Sequence, residues 1–306
     1  MSAVVGLLGF GRWGRLIFRD LRALKVDVRV VAPSEASRQA ALAAGAVSVH
    51  PCPEAIENVD GVVVAAPTSL HAEILFKLAA LNKPLFVEKP MATDPAACRR
   101  LVDLMGDRLF VMDKWRYHPG IEKLAELARS GALGRLRSLR SFRLGWDNPH
   151  RDVDAIWILL PHDLSIALHI LGMLPEARMA TTLGANGLGN DLFALLRNDE
   201  DDPSVVVEIS ANHPVPRRAV TVIGTEGSAQ LGDSYDDHVV FARGAPGRAI
   251  GSPELISISK EMPLLAELRT FVAHLNGGAA PMSSAREGLL VVERICALRQ
   301  LAGLPR

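Results

Sequence analysis

Glu88-Lys89-Pro90 directly follows the apolar run Pro84-Leu85-Phe86-Val87. A lysine at the end of a strand can take the proton of a hydroxyl group while a hydride leaves the same carbon. It does so only if burial or a nearby positive charge lowers its proton affinity. Otherwise it stays protonated and serves as an acid or hydrogen-bond donor. The same tripeptide also reads as an ordinary surface turn, and composition does not separate the two. The second candidate is the turn Gly9-Phe10-Gly11-Arg12-Trp13-Gly14. In a G-x-G-x-x-G turn between strand and helix, the first glycine permits the tight turn. The second lets a pyrophosphate approach the backbone, and the third lets helix and strand pack closely. The unpaired N–H groups and the dipole at the helix start attract phosphate. These six residues therefore read as the pyrophosphate site for a nicotinamide dinucleotide.

The end of the next strand qualifies the choice of dinucleotide. It reads Val30-Val31-Ala32-Pro33-Ser34, with no Asp or Glu for the ribose hydroxyls. An acid there would repel a 2′-phosphate. Ser34 can donate to such a phosphate, and Arg38 or Arg12 can pair with it. The pattern favours NADP(H) over NAD(H). The competing reading makes Arg38 a solvated helix residue and NAD(H) the cofactor.

Elements that could position these groups follow in order. Residues 3–8 form a short apolar run, followed by the glycine turn and by Leu16, Ile17, Leu21 and Leu24 at helical spacing. Strands are expected at 26–31, 47–49, 61–66, 84–87 and 109–112, with helices at 35–44, 70–81 and 94–105. Asp94 with Pro95 marks the start of the last of these helices. Strand–helix alternation of this kind predicts α/β architecture: a doubly wound parallel Rossmann sheet over residues 1–115. After Asp113 the pattern changes. A helix is expected at 119–129, a period-two strand at 136–144, an apolar helix at 155–171, several strands between Glu176 and Arg243, and helices at 264–275 and 285–301. Residues 116–306 thus read as an α+β domain with a mostly antiparallel, open-faced sheet, its last helices free to pack back on the first domain. The acidic stretch at 190–203 reads as a solvated hairpin tip.

The 306 residues carry 34 basic and 34 acidic side chains. That balance gives no general pull toward nucleic acid or a membrane surface. Cys52, Cys98 and Cys296 are odd in number, far apart and without metal-ligand spacing, which suits a reducing compartment. With no signal peptide and no long apolar run, the expected location is cytoplasmic.

GFGRWG at 9–14, APTSLH at 66–71, EKP at 88–90, RYHPGIEKL at 116–124, SGALGRLRSLRS at 130–141, WILLPHDLSIALHILG at 157–172 and VIGTEGSAQL at 222–231 occur together. In this order they resemble the glucose–fructose oxidoreductase/inositol dehydrogenase (Gfo/Idh/MocA) family. The resemblance implies Lys89 as the acid/base group near the nicotinamide and Glu88 orienting the cofactor, with Ala66, Thr68 and His71 beside it. It implies His162 as a second catalytic residue on the substrate hydroxyl, with Arg116, Tyr117 and Asp163 on the substrate side. It also implies a homodimer or homotetramer acting on a sugar, polyol or nucleotide-linked sugar. Without the resemblance, His162 reads as a core histidine on an apolar helix. Many family members place an Asp four residues before this histidine, where this chain has Ile158; Asp152 and Asp154 are the nearby carboxylates. Ile158 leaves open a non-catalytic dinucleotide-binding sensor, and the scaffold leaves open an imine or unsaturated-ring reductase.

Overall fold

A computed structural model of the chain describes residues 3–146, 148, 152–182, 189–244 and 251–305. In its first part, β1 (Val4–Leu8), α1 (Arg12–Ala23), β2 (Asp27–Val31), α2 (Glu35–Ala43), β3 (Ser48–His50), β4 (Gly61–Val64), α3 (His71–Leu78), β5 (Leu85–Glu88), α4 (Pro95–Met105) and β6 (Leu109–Met112) alternate. The six strands form one parallel sheet in the order β3-β2-β1-β4-β5-β6. β1 lies between β2 and β4, so the winding reverses there. The crevice beyond the carboxyl ends of β1 and β4 is the usual ligand site of such a sheet.

The middle of the chain contributes α5 (Pro119–Arg129), β7 (Leu136–Trp146), α6 (Ala155–Leu171), β8 (Ala177–Thr181), β9 (Asp191–Leu196), β10 (Ser204–Ser210), β11 (Asn212–Gly224), β12 (Gly227–Leu231), β13 (His238–Arg243) and β14 (Glu254–Ser257). These strands make an eight-stranded sheet, β14-β13-β12-β11-β7-β10-β9-β8. Every pairing is antiparallel except β7 with β10. The acidic stretch falls largely in the hairpin between β9 and β10. Two helices close the chain, α7 (Pro263–Leu275) and α8 (Ala285–Leu301).

Packing divides the chain into residues 1–114 with 262–292, and residues 115–261 with 293–306. The second domain is therefore not the unbroken stretch 116–306. Leu264, Leu268 and Phe271 of α7 sit in one apolar core with Val5, Leu7, Ile17 and Leu21. Withdrawing such side chains from water is what holds α7 on the parallel sheet. Helical residues continue to 81 only through short 3₁₀ turns on either side of α3, the second stopped by Asn82 in a left-handed conformation (φ 52°). β14 was not expected. Its residues are mostly exposed, so it lies at the sheet edge without the alternation that marks a half-buried strand.

Candidate active site

The glycine turn leaves β1 and enters α1. Gly9 has φ +100°, and a Cβ there would lie 2.4 Å from the Ala65 carbonyl oxygen. A Cβ on Gly14 would lie 2.2 Å from the Gly9 carbonyl oxygen. Both glycines are needed for the turn to close. Gly11 differs: a Cβ there meets nothing within 4 Å, and its backbone is extended, as any residue allows (φ −75°, ψ −166°). Gly11 also caps α1 with no side-chain hydrogen bond and no acid in the first turn. The orphan N–H groups of that turn are left to an anion. Arg12 is exposed beside them. Phe10 contributes backbone only, since its ring is buried and meets Phe18 edge-on at 5.4 Å.

At the end of β2, Ser34 caps α2 by accepting from the Ser37 N–H. Arg38 folds back over the strand end and donates to the Ala32 and Pro33 carbonyls at 2.8 and 2.6 Å. It also pairs with Glu35 at 2.5 Å. Arg38 is thus moored where a ribose-binding acid would stand, rather than free in solvent.

Beyond β4 and β5 the candidate residues are brought together. Trp13 of the glycine turn donates its indole N–H to Glu88. Lys114 lies over the Trp13 ring, 4.3 Å from its centre. The carboxyl end of β5, which carries Glu88 and Lys89, is thereby tied to the pyrophosphate turn. His71 is buried, its ring nitrogens 2.8 Å from the Pro90 carbonyl and 3.0 Å from the Ala66 carbonyl. The ring joins the loop after β4 to the loop after β5. Thr68 is buried in the same loop. Burial pushes the Glu88 carboxyl up from its ordinary range, against the opposing pull of Lys89 and of the Trp13 N–H.

The second unit holds the remaining candidates. His162 lies on α6 with the Trp115 ring edge-on to it at 6.4 Å. Arg143 of β7 stacks on Trp115, 4.5 Å from the ring centre. The same arginine donates to Asp163 at 2.7 and 3.2 Å, and Ser141 donates to Asp163 as well. Asp163 is 0% exposed. Both of its oxygens are used, and it clamps α6 to β7. Arg116 is 2% exposed and donates to Ser165 of α6 at 2.8 Å. Tyr117 is half-buried in the 3₁₀ turn before α5. Asp154 caps α6 and pairs with Arg299 at 2.6 Å, so it does not replace the carboxylate missing at the buried Ile158. The loops at 145–155 and 186–190, expected to shape the substrate pocket, fall partly outside the described residues. Among the described residues, no cluster of His, Cys, Asp or Glu is arranged to hold a metal, and no helix is long and apolar enough to cross a membrane.

The model of an oxidoreductase family with an NAD-binding Rossmann fold, GFO_IDH_MocA, matches residues 3–109. Inositol 2-dehydrogenase 2 of Saccharopolyspora erythraea is 30% identical over 229 residues, 69% of this chain and 68% of that protein. The chain belongs to the Gfo/Idh/MocA family of oxidoreductases. Two solved structures show that the fold similarity runs the whole length of this family member. UDP-N-acetylglucosamine 3-dehydrogenase of Acidithiobacillus ferrooxidans superposes with a TM-score of 0.85 at 21% identity, covering 99% of this chain and 98% of that one. A levoglucosan dehydrogenase in complex with NADH and levoglucosan gives 0.87 at 18% identity, with the same coverage.

This Gfo/Idh/MocA chain is an NAD(P)-dependent oxidoreductase, and its residues fit the dinucleotide. The cradle at Gly11 is open where a pyrophosphate needs access, and the two other glycines are fixed by packing. Sequence reasoning missed Ser141, Arg143 and Ser165. A usable signal was present: an Asp in the middle of an apolar helix demands a buried partner.

Proposed function

We propose that this enzyme exchanges a hydride between NADP(H) and a secondary hydroxyl, or the corresponding ketone, of a sugar, polyol or nucleotide-linked sugar. The observation that carries the reading is the tie from Trp13 to Glu88, which puts Lys89 at the carboxyl end of β5 on the same side of the sheet as the pyrophosphate turn. When bound, the nicotinamide ring accepts or returns the hydride. Lys89 takes the hydroxyl proton during oxidation and gives it back during reduction. The family resemblance assigns His162 to the hydroxyl oxygen; within the second unit its ring is edge-on to Trp115 at 6.4 Å. The inositol and UDP-sugar dehydrogenase relatives support the substrate class.

The glycine turn gives the most selective test of the cofactor site. Gly11→Ala meets no protein atom, so its melting temperature should match the wild type. Its methyl group would stand where the pyrophosphate approaches, weakening dinucleotide binding by about tenfold or more, roughly 1.4 kcal/mol. Fluorescence titration with reduced dinucleotide reads this directly. Unchanged affinity would move the pyrophosphate away from this turn.

Arg38 and the absence of an acid at Ala32 support NADP(H) over NAD(H). NADPH is expected to bind about tenfold tighter than NADH, from one charge-assisted contact of about 1.5–3 kcal/mol. Arg38→Ala should remove that difference while leaving NADH affinity nearly unchanged. Equal affinities for the two in the wild type would assign Arg38 to capping the strand end alone. A homodimer or homotetramer through the open face of the eight-stranded sheet, and a cytoplasmic location, complete the proposal. Arg140 and Val215 are exposed on β7 and β11, which supports an uncovered surface on that sheet.

A further inference from the structure

α7 carries one carboxyl group into the first unit's interior. Phe271 stacks on Phe86 of β5 with ring centres 4.9 Å apart. Toward its C-terminal end, Leu275 lies against Gly61 at the start of β4. The helix therefore runs opposite to the strands. Glu267, one turn before Phe271, is carried toward the carboxyl ends of β5 and β6, where Glu88, Asp113 and Lys114 stand. It is 0% exposed, and neither of its oxygens has a hydrogen-bond partner among the described residues. A buried carboxylate without donors is costly, so the neutral acid is the form that fits such a place. Burial raises the proton affinity of Glu267 well above the ordinary carboxyl range. The charges of Glu88 and Asp113 add to the rise, and Lys114 opposes it. Lys89 acts on this group through Glu88, whose carboxyl it pulls down.

We infer that Glu267 is a positioning residue for the oxidised cofactor. It holds a proton in the free enzyme and releases it to solvent when a positively charged nicotinamide is bound beside Glu88. The affinity for oxidised over reduced dinucleotide therefore rises with pH. The inference rests on the cofactor placement proposed above. Its physical basis is linkage: a new positive charge favours the ionised acid, and a neutral reduced ring does not. The carboxylate then stabilises the ring's charge from behind β5, and it regains a proton once that charge is lost to hydride.

The test uses the full chain in calorimetric titrations with NADP⁺ and NADPH across the neutral and alkaline range, in buffers of different ionisation heat. For the wild type, affinity for NADP⁺ should rise by up to about tenfold per pH unit with release of up to about one proton, while NADPH affinity stays flat. Glu267→Gln should flatten the NADP⁺ profile and abolish the release attributed to this group. Glu267→Met, close in volume, should do the same. A wild-type preference that does not change with pH, or equal slopes in wild type and variants, would overturn the inference. Failure of the wild type to bind either dinucleotide would instead overturn the cofactor placement, and the inference with it.

A second measurement needs no ligand and survives a poorly binding variant. A carboxyl whose proton affinity is raised on folding gives stability that is complete below the unfolded value, about 4.3. That stability is lost as pH rises toward the folded value. The melting temperature of Glu267→Gln should therefore gain on the wild type steadily as pH rises. A constant difference at all pH values would show that Glu267 is ionised in the folded chain, contrary to the inference.

Discussion

Lys89→Ala is expected to lower kcat for sugar or polyol oxidation by a factor of about 10² to 10⁴, the usual contribution of a positioned acid/base group. Dinucleotide affinity should change little, because the proposed cofactor placement gives the pyrophosphate to the backbone of Gly9, Gly11 and Gly14 and the start of α1. The effect should divide in a way that a structural role would not. Loss of the proton acceptor makes the remaining rate depend on hydroxide, so the variant's activity should climb with pH where the wild type has reached its plateau. Small primary amines added to the assay should restore part of the rate. Full turnover by the alanine variant would remove Lys89 from the mechanism. Cofactor binding with no turnover by either protein, across a broad sugar panel, would overturn the proposed substrate class.

Asp163→Ala should cost about 3–5 kcal/mol of stability, because it leaves the Arg143 guanidinium buried without its counter-charge. For a domain of this size that corresponds to a fall in Tm on the order of 10 °C. Arg143 is 6% exposed at its side chain and Asp163 is 0% exposed, so water cannot replace the lost partner. Replacing both residues by apolar side chains of similar volume should recover most of the loss, since a buried pair is often exchangeable for good packing. The same Arg143 stacks on Trp115, which meets His162. Turnover should therefore fall in Asp163→Ala beyond what the unfolded fraction explains. Urea unfolding and kcat at a temperature well below the transition separate the two effects. A midpoint equal to the wild type would show that the clamp contributes nothing.

These two expectations come from parts of the molecule that differ in how plainly the sequence announces them. The parallel sheet was legible because its strands are short, mostly apolar and largely separated by helices, and the glycine turn because its spacing carries its own geometry. The antiparallel sheet was legible as a class but not as a topology. Nothing local distinguishes the parallel pairing of β7 with β10 from its antiparallel neighbours. Within β7, alternation alone points the wrong way. The usual pattern hides apolar residues, yet Ser141 and Arg143 face inward with Leu139, while Phe142 is half-buried under Arg217. Asp163, seventeen residues beyond the end of β7, is the reason, and only a three-dimensional pairing reveals it. Glu267 was overlooked for a similar cause. One acid on an amphipathic helix looks like an edge of the polar face until the helix is docked.

The return of α7 to the first unit also sets an order of events during synthesis. A chain emerging from the ribosome makes all six parallel strands within its first 112 residues. The core they share with Leu264, Leu268 and Phe271 stays incomplete until α7 has been translated. The core of the parallel sheet is thus completed only after the whole eight-stranded sheet has been made. Its apolar surface must wait in a nascent chain for that helix, which makes this half of the protein the one most in need of chaperone cover.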